Sequence, residues 1–83
     1  MLAQNKDVPA DVWREFVRQY TPSPSLVGRV AEVHSFGAFL VLGDGIVGIL
    51  HRSVWEREPT AGEQLRVRAT SVDEQRRLSL APA

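Results

Sequence analysis

The chain has 83 residues, 43% of them hydrophobic and 24% charged, with ten Lys and Arg against ten Asp and Glu and no cysteine. This length supports one small domain and excludes a cleft between two lobes, and the lack of cysteine excludes disulfide frameworks and thiol nucleophiles. No apolar run approaches the roughly 18–20 residues of a membrane span, and no signal peptide begins the chain, so we expect a cytoplasmic protein with no membrane contact.

The first segment of the chain has a helical pattern. Its apolar residues fall on one helix face, and charged residues occupy the other. These apolar residues are Val12, Trp13, Phe16, Val17 and Tyr20. We predict a helix over about residues 9–20 and a stiff Pro- and Ser-containing linker after it, so that residues 1–25 form one segment and residues 26–83 the domain.

From residue 27 onward the pattern is that of β-strands. We predict strands over residues 27–34, 37–42, 46–51, 63–70 and 77–80. Gly43-Asp44-Gly45 predicts a tight hairpin turn, and the polar stretch 52–61 predicts a loop with one helical turn. Five short strands with one longer connection are typical of a small closed barrel. Because the helix stripe would otherwise be a large exposed apolar patch, we expect the helix to close one end of this barrel.

A cluster of aromatic and basic residues is the candidate site. Alternation places Ala38 inside the barrel and Phe39 on the outer face, exposed to solvent, with Phe36 just before the strand. With His51 and Arg77, these residues predict a solvent-facing surface for stacking bases, closed by a cationic clamp. Base–aromatic stacking contributes about 1–3 kcal/mol per base.

Three further residues complete the predicted site. Arg66 or Arg68, on the outer face of the fourth strand, would join Arg77 in neutralising phosphate, and Asp73 would hold Arg77 in position or accept a hydrogen bond from a base edge. Taken singly, each residue also has an ordinary structural explanation. A Phe in a small β domain is usually core, a His such as His34 is usually structural, and arginines on an alternating strand usually form a solvated face.

The order and spacing of five fragments provide a stronger signal. The fragments are Gly28-Arg-Val-Ala-Glu-Val33, Phe36-Gly-Ala-Phe39-Leu-Val-Leu42, Gly48-Ile-Leu-His51-Arg-Ser53, Gly62-Glu-Gln-Leu-Arg-Val-Arg68, and Val72-Asp73 followed by Arg77-Leu-Ser-Leu80. Together they closely resemble the RNA-binding repeat of ribosomal protein S-one, over residues 27–81. That family has the oligonucleotide/oligosaccharide-binding (OB) fold.

The resemblance implies both a fold and a set of RNA-contacting positions. The implied fold class is mainly β, a five-stranded OB-fold barrel, here preceded by one N-terminal amphipathic α-helix. The implied RNA-contacting residues are Phe36, Phe39, His51, Asp73 and Arg77, and all five residue types match. The resemblance also implies that Gly28, Gly37, Gly48 and Gly62 serve the backbone.

The sequence departs from the family pattern after the third strand. The connection from His51 to Gly62 is short, and Arg52 stands where an aliphatic residue is usual. Trp55 stands where a smaller aliphatic residue is usual, and we predict that it covers the barrel end beneath the shortened loop. Three acidic residues, Glu56, Glu58 and Glu63, place negative charge near the predicted groove.

These observations predict a non-catalytic module that binds single-stranded RNA in translation or RNA turnover, with the ribosome or an RNA-processing protein as further partners. The rival hypothesis is an adaptor that docks a protein through the N-terminal helix or the barrel face. Zero net charge favours the adaptor, and the five matching positions oppose it. We expect no enzyme and no metal or cofactor, since there is no phosphate-binding glycine loop and His34, His51 and Asp73 lack metal-ligand spacing.

Overall fold

The structure is a computed structural model that describes residues 5–20 and 25–83. In this part of the chain one helix, α1 (Ala10–Tyr20), precedes five strands. The strands are β1 (Leu26–His34), β2 (Gly37–Val41), β3 (Val47–His51), β4 (Gln64–Val72) and β5 (Leu78–Pro82). They close into a barrel in the order β1-β2-β3-β5-β4, with β3 and β5 parallel and the other pairs antiparallel. The predicted fold class, a five-stranded barrel of OB type after one N-terminal helix, is confirmed for the described residues.

The barrel interior follows the predicted alternation. Ala38 and Leu40 of β2 are fully buried, as is Leu78 of β5, and Leu80 and Val67 are nearly so. The interior is tight where β3 lies beside β5. A Cβ atom on Gly48 would lie 2.7 Å from the Leu80 Cδ1 atom, so a larger residue would displace the buried Leu80 side chain.

The turn between β2 and β3 is closed by its own backbone. The chain makes one 3-10 turn over Gly43–Gly45, and the Leu42 amide donates to the Ile46 carbonyl at 2.7 Å. Gly45 has a φ of 74°, in the left-handed region that favours glycine. The predicted hairpin turn is therefore present, and Ile46 is fully buried beneath it.

Helix α1 covers one end of the barrel, as predicted. Phe16 is 4% exposed and belongs to the same hydrophobic core as the strands. Trp13 stacks on Phe16 with 6.2 Å between ring centroids, and Val17 packs beside them. The helix borders Leu26 at the start of β1 and Val72 at the end of β4. The predicted linker falls largely on residues 21–24, outside the described part of the chain.

Trp55 packs near the opposite end of the barrel. A second 3-10 turn, Arg52–Val54, follows β3, and the Trp55 Nε1–H donates to the Leu50 carbonyl at 3.0 Å. The indole packs against the core, which confirms the predicted role of Trp55 as a cover. Among the described residues, no helix is long and apolar enough to cross a membrane.

Candidate nucleic-acid interface

Three rings meet at the β1–β2 turn, and we call His34, Phe36 and Phe39 the aromatic cluster. The His34 and Phe36 rings are stacked, with 5.2 Å between centroids and 9° between planes. Phe39 meets both rings edge-on, with centroids 5.4 Å from His34 and 6.0 Å from Phe36. Phe36 is 55% exposed, so one aromatic surface of the cluster faces solvent.

The predicted solvent exposure of Phe39 is wrong. Its side chain points away from the core that Ala38 and Leu40 enter, as alternation predicted, yet it is only 8% exposed. The His34 and Phe36 rings pack against it and shield it from water. The exposed aromatic surface therefore belongs to Phe36, while Phe39 supports it from below.

A β-bulge explains why His34 joins the cluster. The register of β1 against β2 shifts between Val30 and Glu32, so Glu32 pairs with Phe39 and His34 pairs with Gly37. An extra residue in a strand reverses the alternation beyond it, which turns Glu32 and His34 to the outer face. Glu32 and His34 were not among the site residues predicted from the sequence. Their spacing of two just before Phe36 was the available signal.

His51 lies on the same outer face, one strand further along. Gly37 of β2 pairs with His34 on one side and with His51 on the other. A Cβ atom on Gly37 would lie 2.9 Å from the Leu50 carbonyl oxygen, so a side chain at this position would force β2 and β3 apart. Arg52 fastens the neighbouring turn, because its amide donates to the Phe36 carbonyl at 3.0 Å.

Asp73 holds Arg77 in the loop that connects β4 to β5. The Asp73 carboxylate accepts the backbone N–H groups of Gln75 and Arg77 at 2.9 Å each, and the Arg77 Nε–H at 2.6 Å. These donors, above all the Arg77 backbone N–H, hold the pKa of Asp73 below its usual range. The Arg77 side chain remains more than half exposed. The positioning of Arg77 by Asp73 is thus observed, and contact of either residue with RNA stays a prediction.

We call the outer surface of β2, β3 and β5 the binding face, because it is the candidate surface for nucleic acid. Phe39 pairs with Ile49, and Ile49 pairs with Ser79, so these three residues form one row across the face. Arg77 precedes Ser79 by two residues, at the end of the face nearer to α1. The aromatic cluster and His51 lie at the other end. The face therefore carries rings at one end and a guanidinium at the other.

Arg66 and Arg68 lie elsewhere on the barrel. Both are exposed on β4, which neighbours β1 and β5 and not β2 or β3. The Arg66 Nη1–H donates to the Ser25 hydroxyl at 3.2 Å, near the start of β1. The structure does not bring these two arginines together with the aromatic cluster, and their contact with phosphate stays a prediction.

The acidic residues are partly neutralised. Glu63 forms an ion pair with Arg57, which lowers the pKa of Glu63, with a smaller contribution from the Thr60 backbone N–H. Glu32 accepts a hydrogen bond from His34 at 3.0 Å, and that bond lowers the pKa of Glu32. Glu56 and Glu58 are exposed. Through this bond to His34, Glu32 borders the aromatic cluster directly.

Comparison with known proteins places this geometry among OB-fold domains. A multidomain protein with nucleic acid binding domains from Streptococcus pneumoniae superposes with a TM-score of 0.67 at 22% identity, over 90% of this chain and 28% of that chain. GSP13 from Bacillus subtilis superposes with a TM-score of 0.62 at 25% identity, over 71% of this chain and 52% of that chain. No protein-family model matches the chain.

Two curated relatives are similar to this chain in sequence. Polyribonucleotide nucleotidyltransferase from Hydrogenobaculum is 32% identical over 73 residues, which is 86% of this chain and 10% of the relative. Small ribosomal subunit protein bS1 (ribosomal protein S-one) from Coxiella burnetii is 28% identical over 81 residues, which is 87% of this chain and 15% of the relative. The chain thus spans a small part of the relatives it matches.

The closed barrel and these neighbours define a domain of the OB-fold class. Within that class, the homologues of the chain are the S-one domains of these relatives.

Proposed function

We propose that this chain is a non-catalytic module that binds single-stranded RNA through its binding face. The observation that carries the proposal is the exposed ring of Phe36, stacked on His34 and supported by Phe39. An exposed and immobilised aromatic ring is costly to leave in water, and it is the surface on which an unpaired base stacks.

The proposed contacts to RNA differ between the two ends of the binding face. A base stacks on Phe36, and His51 stacks on or donates a hydrogen bond to the next nucleotide. Arg77, held by Asp73, contacts a phosphate of the same strand. Arg68 of β4 pairs with Ala81 of β5. Arg68 and Arg66 would therefore contact phosphates of an RNA strand that runs from the binding face across β5 to β4.

Single-stranded RNA is favoured over a duplex by the type of contact. Stacking on a protein ring requires a base that is free of its own neighbours, and a paired helix offers none. The chain has zero net charge, so it lacks the general attraction that duplex binding relies on. Stacking, with a few phosphate contacts, would supply most of the affinity.

The relatives suggest a cellular setting for this module. One is a ribosomal subunit protein by name and another is a polyribonucleotide nucleotidyltransferase. We propose that this chain acts in the cytoplasm in translation or RNA turnover, with the ribosome or an RNA-processing protein as partner.

One form of the adaptor hypothesis, in which a protein docks on α1, has less support than RNA binding. The apolar stripe of the helix is the surface that such an adaptor would offer, and Phe16 is buried within the barrel core. Trp13 is partly buried, in contact with Phe16 and the guanidinium of Arg76. A protein partner would therefore need to displace packing that the domain uses for its own stability.

The direct test is a fluorescence anisotropy titration with labelled oligonucleotides of about ten residues, the scale of one OB-fold site. Single- and double-stranded RNA and DNA are compared at about 50 and 200 mM salt, with the Phe36→Ala variant as control. We expect single-stranded RNA to bind the unsubstituted chain and the duplexes to bind much more weakly. Failure of single-stranded RNA to bind at the lower salt concentration would contradict the proposal.

A further inference from the structure

We propose that the segment before α1 positions the RNA-binding loop between β4 and β5. This inference rests on the proposed RNA-binding function and adds to it a set of positioning residues that need not touch RNA. We call Asn5, Val8, Trp13 and Arg76 the N-terminal clasp. Three of its members precede or belong to α1, and the fourth lies in the loop itself.

Asn5 joins the start of β3 to the β4–β5 loop. Its side-chain Nδ2 donates to the carbonyls of Val47 and Arg76 at 2.8 and 2.9 Å. Its Oδ1 accepts the Val47 N–H at 2.7 Å, so all of the amide's main contacts are to backbone. Asn5 is 9% exposed, and at such a site a lost hydrogen bond is not readily replaced by water. Asn5 thereby fixes the position of the β4–β5 loop relative to the start of β3.

Arg76 binds the same segment from the loop side. Its Nη1 donates to the carbonyls of Val8 and Asn5, at 2.7 and 3.5 Å, and its Cζ lies 5.8 Å from the centroid of the Trp13 ring. Arg76 has a φ of 59°, a left-handed conformation that is uncommon for any residue with a Cβ. Such a conformation persists where surrounding contacts hold it, and the clasp supplies those contacts.

Arg77 follows Arg76 directly and serves the binding face. Its backbone N–H and its Nε–H both bind the Asp73 carboxylate. The loop is therefore held from two sides, by Asp73 within it and by the N-terminal clasp outside it. A loop fixed before RNA arrives loses less conformational entropy on binding, which raises affinity without any added contact to RNA.

The test measures RNA affinity and loop geometry in the same variants of the full chain. Asn5→Ala removes the amide, and Arg76→Lys keeps the charge but removes the forked donor, as a second variant should Asn5→Ala not fold. Gln64→Ala, which removes an exposed amide on β4, is the matched control. We expect Asn5→Ala and Arg76→Lys to weaken single-stranded RNA binding by about three- to tenfold, at a temperature where each is fully folded. Gln64→Ala should leave it unchanged.

Double substitutions separate positioning from general destabilisation. In the Arg77→Gln background, Asn5→Ala should have little further effect, because the group that it positions is gone. In the Phe36→Ala background, it should have its full effect. Equal effects in both backgrounds would overturn the proposal.

A readout without RNA distinguishes failure of this inference from failure of the proposed function. The Asp73 carboxyl is followed by NMR as pH is varied, and we expect its pKa to rise toward the ordinary value in Asn5→Ala as the loop loosens. An unchanged Asp73 titration would overturn the clasp, whether or not RNA binds. If the unsubstituted chain binds no RNA while the titration shifts, the RNA role is overturned and the loop-positioning role is supported.

Discussion

The His34 imidazole lies flat against the Phe36 ring, 5.2 Å away and within 9° of parallel. One face of Phe36 is therefore already occupied within the protein, and the other is open to a ligand. The stack also fixes the orientation of Phe36, so that little side-chain freedom remains to be lost when a base binds. The stacked pair therefore preorganises the β1–β2 turn for a ligand, although Phe36 itself lies outside the regular strands.

Replacing each phenylalanine of the aromatic cluster should have a different effect. Phe36→Ala should weaken single-stranded RNA binding by about 1–3 kcal/mol, with little change in melting temperature, because the ring is 55% exposed. Phe39→Ala should weaken binding and also destabilise the fold, since this ring is 8% exposed. Anisotropy titrations and thermal unfolding measured on the same samples check both.

Val27→Ala is the matched control for Phe36→Ala. Val27 is an apolar residue that is 49% exposed on β1, outside the binding face. Its loss should leave RNA affinity unchanged. Equal weakening by Val27→Ala and Phe36→Ala would mean that RNA does not stack at the β1–β2 turn.

The salt dependence of binding should be shallow. With two to four phosphate contacts, each contributing about −0.7, the slope of log K against log salt should be roughly −1.5 to −3. Arg77→Gln should reduce its magnitude by about 0.7. Arg66→Gln and Arg68→Gln should have smaller effects, because β4 does not adjoin β2 or β3. A slope steeper than about −5 would show that charge, and not stacking, dominates.

Local patterns in the sequence predicted the barrel well and the site in part. The alternation that buries Ala38 and Leu40 is a local property, so the strands and the direction of Phe39 could be predicted from it. The shielding of Phe39 could not, since it depends on a bulge in β1 that turns His34 outward. A bulge leaves no clear trace in a single sequence.

The N-terminal clasp could not be predicted from the sequence, for a different reason. Asn5 and Arg76 are separated by 71 residues, and a single Asn in a polar segment carries no periodic signal. Only the closed barrel, which brings the β4–β5 loop back beside the start of β3, places them in contact. The helix stripe, in contrast, has a strong period, and its packing on the barrel end was predictable.

Acid should destabilise the domain partly through Asp73. Its pKa is lowered in the folded state, so its contribution to stability is complete above the unfolded pKa of about 3.9 and is lost as pH falls through the lower folded value. Urea unfolding between about pH 2 and pH 6 should show this loss, and Asp73→Asn should flatten that part of the profile.

Glu74→Gln provides the control for the acid experiment. Glu74 is an exposed carboxylate in the same loop, and the structure describes no hydrogen bond to its side chain from residues 5–20 or 25–83. Its removal should leave the acid limb of the profile unchanged. If Glu74→Gln flattens the profile as much as Asp73→Asn does, the effect comes from the general charge of the loop and not from the hydrogen bonds to Asp73.

Phe16→Ala should reveal how far the fold depends on α1. Phe16 is 4% exposed within the barrel core, and truncation of a buried Phe costs about 3–5 kcal/mol. Because small domains are stable by only about 5–15 kcal/mol, this loss should lower the melting temperature by more than about 10 °C. Gln19→Ala, on the exposed side of the same helix, should change it little. Calorimetry of both variants gives the comparison. The RNA affinity of the Phe16→Ala chain, measured where it remains folded, should fall no further than that of Asn5→Ala. The aromatic cluster lies at the other end of the barrel, so the substitution reaches the binding face only through Trp13 and the N-terminal clasp. A Phe16→Ala chain of undiminished stability that loses self-association or protein binding would instead assign the helix stripe to a partner, and would favour the adaptor hypothesis over a lid.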